Sequence, residues 1–280
     1  MTGASQWRPA AGWARRRALQ AGAALTEARR RPDGLPPRRL RARVGAPGAQ
    51  EFASGGAAAA DALLAAAAEA LGERSAALAG VLDFGCGSGR VLGEMIRRGV
   101  GEHRVGVDVD AEAIAWAEAH LPGARWLASS ANPPLPLVGE RFDLIYSVSV
   151  FSHLDAVAQD AWLTELAGTL APGGVALLSV HGATALEAFR SGAVATAWCP
   201  PEALRGRGPL AADELWSVPY VHSRWNRGDL PGVGAGYGLS FHGPEYLRAH
   251  WGRFLAVEAI LPRAISGWQD LVVCRSRPPG

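Results

Sequence analysis

Lysine is absent from this 280-residue chain, so all 28 of its lysine-plus-arginine positions are arginine. Cysteine is scarce as well. Cys86, Cys199 and Cys274 have neither the paired spacing of a zinc site nor the number needed for a disulfide framework. That sets aside a disulfide-stapled scaffold and points to a reducing cytoplasm. No apolar run approaches the roughly 20 residues a membrane span needs. The alanines at 57–60 and 65–68 are interrupted by Asp61 and Glu69 and read as a soluble helix. No secretory leader is expected, because arginines at 15–17 and 29–31 break up the opening segment and no apolar core follows.

The charge that is present is unevenly placed. Eleven arginines precede residue 57, against Glu27, Asp33 and Glu51, while the remainder is acidic on balance. Residues 1–34 are expected to be a solvated, disordered tail, with contact to nucleic acid or anionic lipid as the weaker alternative. Residues 35–280 have the length of one α/β domain.

From residue 57 helical and apolar-run patterns alternate. Helices are expected over 57–71, 91–98, Ala111–His120 (capped by Asp110), 160–170 and 244–251. Strands are expected over 81–84, 104–109, Arg125–Ala128, 142–149, 175–180, 254–261 and 270–274. This alternation implies a doubly wound, mostly parallel sheet of seven strands with right-handed crossovers and an antiparallel last strand. Residues 182–240 break the rhythm: they are rich in Gly, Pro and Trp, too long for a plain connection, and read as an insertion over the mouth of the sheet.

The strongest chemical signal is Val81-Leu82-Asp83-Phe84-Gly85-Cys86-Gly87-Ser88-Gly89-Arg90, at the first strand-to-helix turn. Gly85 and Gly87 allow a tight bend and close approach of a ligand, and Gly89 allows the helix start to pack on the strand. The spacing is G-x-G-x-G, not the G-x-G-x-x-G of dinucleotide binders. Asp83 would oppose a pyrophosphate at a helix N-terminus but suits a ligand carrying an ammonium group. Asp108 falls at the end of strand two, where a carboxylate accepts hydrogen bonds from ribose hydroxyls.

Asp83-x-Gly85-x-Gly87-x-Gly89 with Asp108 resembles the class I S-adenosylmethionine-dependent methyltransferases. Phe142-Asp143-Leu144-Ile145-Tyr146-Ser147 and Leu170-Ala171-Pro172-Gly173-Gly174 match that family's later blocks in order. The resemblance implies a Rossmann-like fold and S-adenosylmethionine as cofactor. It implies contacts to it from Asp83, Gly85, Cys86, Gly87, Gly89, Asp108, Val109, Ser130 and Ser147. A bacterial subgroup is closer still, through Ser149-Val150-Phe151-Ser152-His153-Leu154, His181-Gly182 and Gln269-Asp270-Leu271-Val272-Val273. Its lead-in resembles Pro36-Pro37 and 40–45, so residues 35–56 are expected to fold over the cofactor. The family's adenine-binding Asp after strand three is missing; Ser129, Ser130 or Asn132 stands there instead.

Asn132-Pro133-Pro134 resembles the Asn-Pro-Pro motif of enzymes that methylate planar nitrogens, but it precedes strand four instead of following it. Nucleic-acid methylation is therefore disfavoured, and a small-molecule substrate methylated on oxygen or nitrogen is the leading expectation. Methylation of a protein or glycan precursor, or cofactor binding without turnover, are the alternatives. A base is needed for a hydroxyl or ammonium nucleophile. His181 and His153 are the candidates on the ligand side of the sheet, with His222, His242 and Asp155 behind them. No metal cage is seen. Trp198, Trp216, Tyr220, Trp225 and Tyr237 are read either as a pocket lining for an organic substrate or as the core of a small loop-rich subdomain. Gly232, Gly234, Gly236 and Gly238 suggest a mobile flap.

Overall fold

Apolar residues at both faces of each central strand bury the sheet on two sides. Val81, Leu144, Val175, Leu177, Leu271 and Val273 pack into one core layer, while their chain neighbours Leu82, Ile145, Ala176, Leu178, Val272 and Cys274 pack into the other. Strands that read as continuous apolar runs are what a sheet covered by helices on both faces requires. The computed structural model describes residues 34–194, 201–220 and 237–276. The Arg-rich tail, Trp198, Cys199, His222, Trp225, Gly232, Gly234 and Gly236 lie outside the described residues.

The chain begins with α1 (Arg38–Arg43) and α2 (Ala49–Leu71). It continues with β1 (Gly80–Phe84), α3 (Leu92–Arg97), β2 (His103–Asp108), α4 (Ala111–His120), β3 (Arg125–Ala128) and β4 (Phe142–Ser147). Then come α5 (Ala156–Thr169), β5 (Leu170–Val180), α6 (Ala183–Arg190), α7 (Pro201–Arg205), β6 (Leu215–Pro219) and β7 (Gly238–His242). Helix α8 (Pro244–His250) and strands β8 (Ala256–Ile265) and β9 (Gln269–Arg275) close the described chain. The sheet has seven strands in the order β3-β2-β1-β4-β5-β9-β8. Strand β9 runs antiparallel to both of its neighbours, and the other pairings are parallel. This is the mostly parallel seven-stranded sheet expected from the alternation.

Helix α4 has the expected bounds, and Asp110 caps it by accepting the N–H groups of Glu112 and Ala113. Three of the differences from expectation have a local cause. Helix α2 begins eight residues earlier, because Gly55 and Gly56 do not break it: a Cβ on Gly56 would lie 2.4 Å from the Arg90 carbonyl oxygen, so the glycine is the condition for the helix to sit on the β1–α3 turn. Helix α5 begins at Ala156, where Asp155 accepts the Ala158 N–H at 2.9 Å. Asp155 is a helix cap, which accounts for its carboxylate without a catalytic role. Strand β5 takes in Pro172-Gly173-Gly174 through a register shift opposite Phe142 and Leu144, with Gly173 at φ 71°.

The described parts of the 182–240 stretch, 182–194, 201–220 and 237–240, hold more regular structure than its composition suggested. Strands β6 and β7 pair antiparallel outside the main sheet, and with α6 and α7 they enclose a third core that includes Leu186, Phe189, Leu204, Val218 and Phe241. Trp216 stacks on Phe241, with ring centroids 5.4 Å apart.

Two substitutions test these assignments by chemical denaturation. Gly56→Ala forces a methyl against the Arg90 backbone and lowers stability by about 1–3 kcal/mol. Asp155→Ala removes a cap and lowers it by about 1 kcal/mol; an unchanged midpoint for either variant removes the corresponding role.

Candidate active site

Strand β1 lies between β2 and β4, and the order of the sheet reverses there. Loops leaving the carboxyl ends of β1 and β4 turn in opposite directions, which opens a crevice. A cavity of about 540 Å³ occupies it, within the range of small-molecule sites.

The glycine turn forms its floor. Gly85 and Cys86 both donate their N–H groups to the Val107 carbonyl, at 2.8 and 3.1 Å. Gly87 donates to Asp108 Oδ2 at 2.6 Å, and Asp110 donates its N–H to Asp108 Oδ1 at 2.8 Å. Gly85 (φ 81°) and Gly87 (φ 53°) hold left-handed conformations, and a Cβ at Gly85 would strike Val150 Cγ2 at 2.2 Å. Asp83, next to the last residue of β1, is buried, and its Oδ2 has no hydrogen-bond partner. Burial, aided by the Asp108 charge, raises its pKa to about 8. The Tyr146 hydroxyl approaches closely enough to oppose that rise, but not in the geometry of a full hydrogen bond. Burial also raises the Asp108 pKa, against the two backbone N–H bonds that favour its charge. Ser88 places a buried hydroxyl without a partner on the same wall. Arg90 lies nearby: burial lowers its pKa, and the charges of Asp83 and Glu51 push it back up.

The segment before β1 closes one side. Leu40, Arg43, Val44, Gly45, Ala46, Glu51 and Gly55 line the cavity. Arg43 holds the segment down through Asp110 at 2.8 Å and Glu112 at 2.7 Å. Buried Arg41 fixes the turn by donating to the Pro36 carbonyl at 2.6 Å and the Pro47 carbonyl at 2.9 Å.

The opposite side is built by β4, β5 and the insertion. Ser149, at φ 61°, lies two residues past the end of β4, and its N–H donates to Ser179 Oγ at 2.7 Å. Gln269 ties the two strand ends together by accepting from Ser179 Oγ at 2.9 Å and donating to Ser149 Oγ at 2.8 Å. His153 Nδ1 lies 3.0 Å from the Gly238 carbonyl and 2.7 Å from the Tyr220 hydroxyl. A carbonyl can only accept, so Nδ1 carries the proton and Nε2 the lone pair. Burial lowers the His153 pKa, which keeps the ring neutral. His181 is fully buried with neither ring nitrogen bonded. Its ring is surrounded by His153, Phe189, Phe241 and Trp268 at centroid distances of 5.2–5.4 Å, and burial holds its pKa well below the usual histidine value.

Of the residues singled out in the sequence, Asp83, Gly85, Cys86, Gly87, Asp108, Val109, Ser130, His153 and His181 all line this one cavity. Two do not. Gly89 is turned toward Leu121 and Trp126, which a Cβ there would meet at 2.6 and 2.7 Å, so it serves helix packing. Ser147 is completely buried within β4, set back from the wall. His242 also drops out: its Nε2 bonds Gln159 Oε1 at 3.1 Å, and burial lowers its pKa to about 3. Tyr220 and Tyr237 are both cavity wall and packing for the insertion core, whereas Trp216 serves packing alone. The sequence reading overlooked Arg90, although it stands directly after the glycine run. It also overlooked Trp268, which only the pairing of β8 with β9 brings to the cavity and which carries no local signal.

Comparison with known proteins matches part of this chain to a family model and much of it to solved structures. Residues 81–174 match the family described as a methyltransferase domain. The CcbJ methyltransferase from Streptomyces caelestis is 16% identical, with a TM-score of 0.51 over 79% of this chain and 95% of its own. Streptomyces venezuelae DesVI is 19% identical at a TM-score of 0.51, over 79% of this chain and 92% of its own. An S-adenosylmethionine-dependent methyltransferase from Clostridium acetobutylicum is 11% identical at a TM-score of 0.53, over 93% of this chain and all of its own (100%). At these identities the structural likeness speaks for the fold.

Proposed function

We propose that this chain is a class I S-adenosylmethionine-dependent methyltransferase and that it transfers a methyl group to an oxygen or nitrogen of a small organic molecule. The observation that carries the cofactor assignment is the buried Asp83 Oδ2, which has no hydrogen-bond partner, on the wall of the cavity and one strand away from Asp108. A cationic nucleoside satisfies both: its ammonium faces Asp83, and its ribose hydroxyls face the lone pairs that Asp108 retains beyond its two backbone bonds. The positive-φ glycine turn leaves room for close approach, while Cys86, Val109 and Ser130 line the remaining contact surface. When bound, S-adenosylmethionine supplies a methyl group activated by its sulfonium. The residues of the chain hold it, align the acceptor and exclude water.

The substrate side belongs to His153, His181 and the insertion. No group of His, Cys, Asp and Glu among the described residues has metal-binding geometry, and no described helix is long and apolar enough to cross a membrane. Three cysteines without a framework favour a cytoplasmic setting. Transfer to a protein or glycan precursor is the second reading, favoured by the breadth of the insertion. Isotope-labelled methyl transfer into a size-fractionated extract separates the two.

Two outcomes are expected from calorimetry. Asp108→Ala removes the acceptor that also fixes Gly87 and weakens S-adenosylhomocysteine binding at least tenfold; an unchanged affinity excludes Asp108 from the site. Free Asp83 titrates near pH 8, and an ammonium favours its ionised form. Binding therefore releases a proton below that pH, and affinity falls by up to about tenfold for each unit of acidification below about 8. A flat profile from pH 6 to 8, with no proton release, shows that Asp83 does not meet the cation.

A further inference from the structure

The cavity wall is divided by charge. Among the described residues, every charged side chain on it comes from residues 43–110: Arg43, Glu51, Asp83, Arg90, Asp108 and Asp110. The described wall residues from 129 onward hold none. That half presents aromatic rings, two neutral histidines and a few hydroxyl and amide groups. A charged acceptor entering it would lose its hydration without an opposite charge to replace it, a loss that fold-buried charges escape only by pairing. A planar neutral acceptor loses little and gains ring contacts from Phe189, Tyr220, Tyr237 and Trp268.

The two histidines narrow the chemistry further. Tethering of His153 through Nδ1 leaves Nε2 as a lone pair with no hydrogen-bond partner among the described residues. His181, 5.4 Å away and perpendicular to it, is a nine-tenths-buried polar ring on the cavity wall with both nitrogens unsatisfied, a cost the fold recovers when a ligand bonds to it. We propose that this enzyme methylates a hydroxyl on an uncharged aromatic ring, with His153 as the proton acceptor and His181 hydrogen-bonded to the same acceptor molecule. This rests on the methyltransferase reading above and specifies its substrate class. The hydroxyl proton passes to His153 Nε2. The oxygen lone pair forms the new O–CH₃ bond as the methyl–sulfur bond breaks, its electron pair remaining on sulfur, which becomes a neutral thioether. The imidazolium then returns the proton to solvent. Burial holds the His153 pKa below its ordinary value, so the ring is unprotonated and ready to accept at neutral pH.

The test uses the full chain saturated with S-adenosylhomocysteine and three probes on one ring system: 2-naphthol, 2-naphthoate and 2-naphthylmethylammonium. The naphthol is expected to bind at least tenfold more tightly than either ion by calorimetry. Equal or tighter binding of an ion, or no naphthol binding, overturns the proposal. Failure of S-adenosylhomocysteine itself to bind overturns instead the reading beneath it. With S-adenosylmethionine and naphthol, His153→Gln is expected to lower kcat at pH 7 by at least a hundredfold. That deficit should shrink as pH rises toward about 10, where a phenolic hydroxyl ionises unaided. The cofactor affinity should stay unchanged. A pH-independent deficit, or full activity, removes His153 as the base.

Discussion

Two carboxylates buried side by side at the ends of neighbouring strands set the terms for the rest of this molecule. Asp83 and Asp108 stand at or next to the ends of β1 and β2; burial disfavours the charge of each, and the charge of Asp108 further disfavours that of Asp83. The fold resolves half of this conflict. Asp108 is held by two backbone N–H groups, and one of them belongs to Gly87, so the same bond that stabilises the carboxylate shapes the glycine turn. Asp83 keeps an oxygen unsatisfied on the cavity wall. The glycine conformations, the nearby Arg90 and the arginine-anchored segment ahead of β1 all follow from building around that pair.

The sheet topology then assigns the two chemical tasks to different stretches of chain. Charge is concentrated on the side of β1 and β2. The side built by β4, β5, β7 and the β8–β9 connection is neutral and aromatic. The division has a physical cause: the reversal of strand order between β1 and β4 sends loops from the two halves to opposite walls of one crevice. Rigidity on the neutral side comes from Gln269, which spans the ends of β4 and β5, and from the insertion, which carries its own core and therefore holds Tyr220 and Tyr237 in place.

Legibility in the sequence followed the range of the interactions concerned. Helix α4 and its Asp110 cap could be read to the residue because the bonds involved span three positions. Asp155 was ambiguous as an isolated carboxylate and became a cap once α5 was seen to start after it. Gly55 and Gly56 fell outside the expected helix at 57–71, because the reason for Gly56, the Arg90 backbone, lies about 35 residues further along the chain. Within 182–240, strands β6 and β7 stabilise each other across a gap of some 20 residues, and neither has the periodicity to be recognised alone.

The sequence by itself determined the doubly wound sheet and the glycine bend with its acidic neighbour, because each is encoded by apolar period or by residues within a few positions of one another. Only the tertiary structure decided among the histidines. His242 is engaged by Gln159, 83 residues away; His153 is oriented by Gly238, 85 residues away; His181 is left unbonded among rings from three separate segments. A side chain's free nitrogen is a property of its neighbours in space, and those neighbours are fixed by how the sheet and the insertion close on each other.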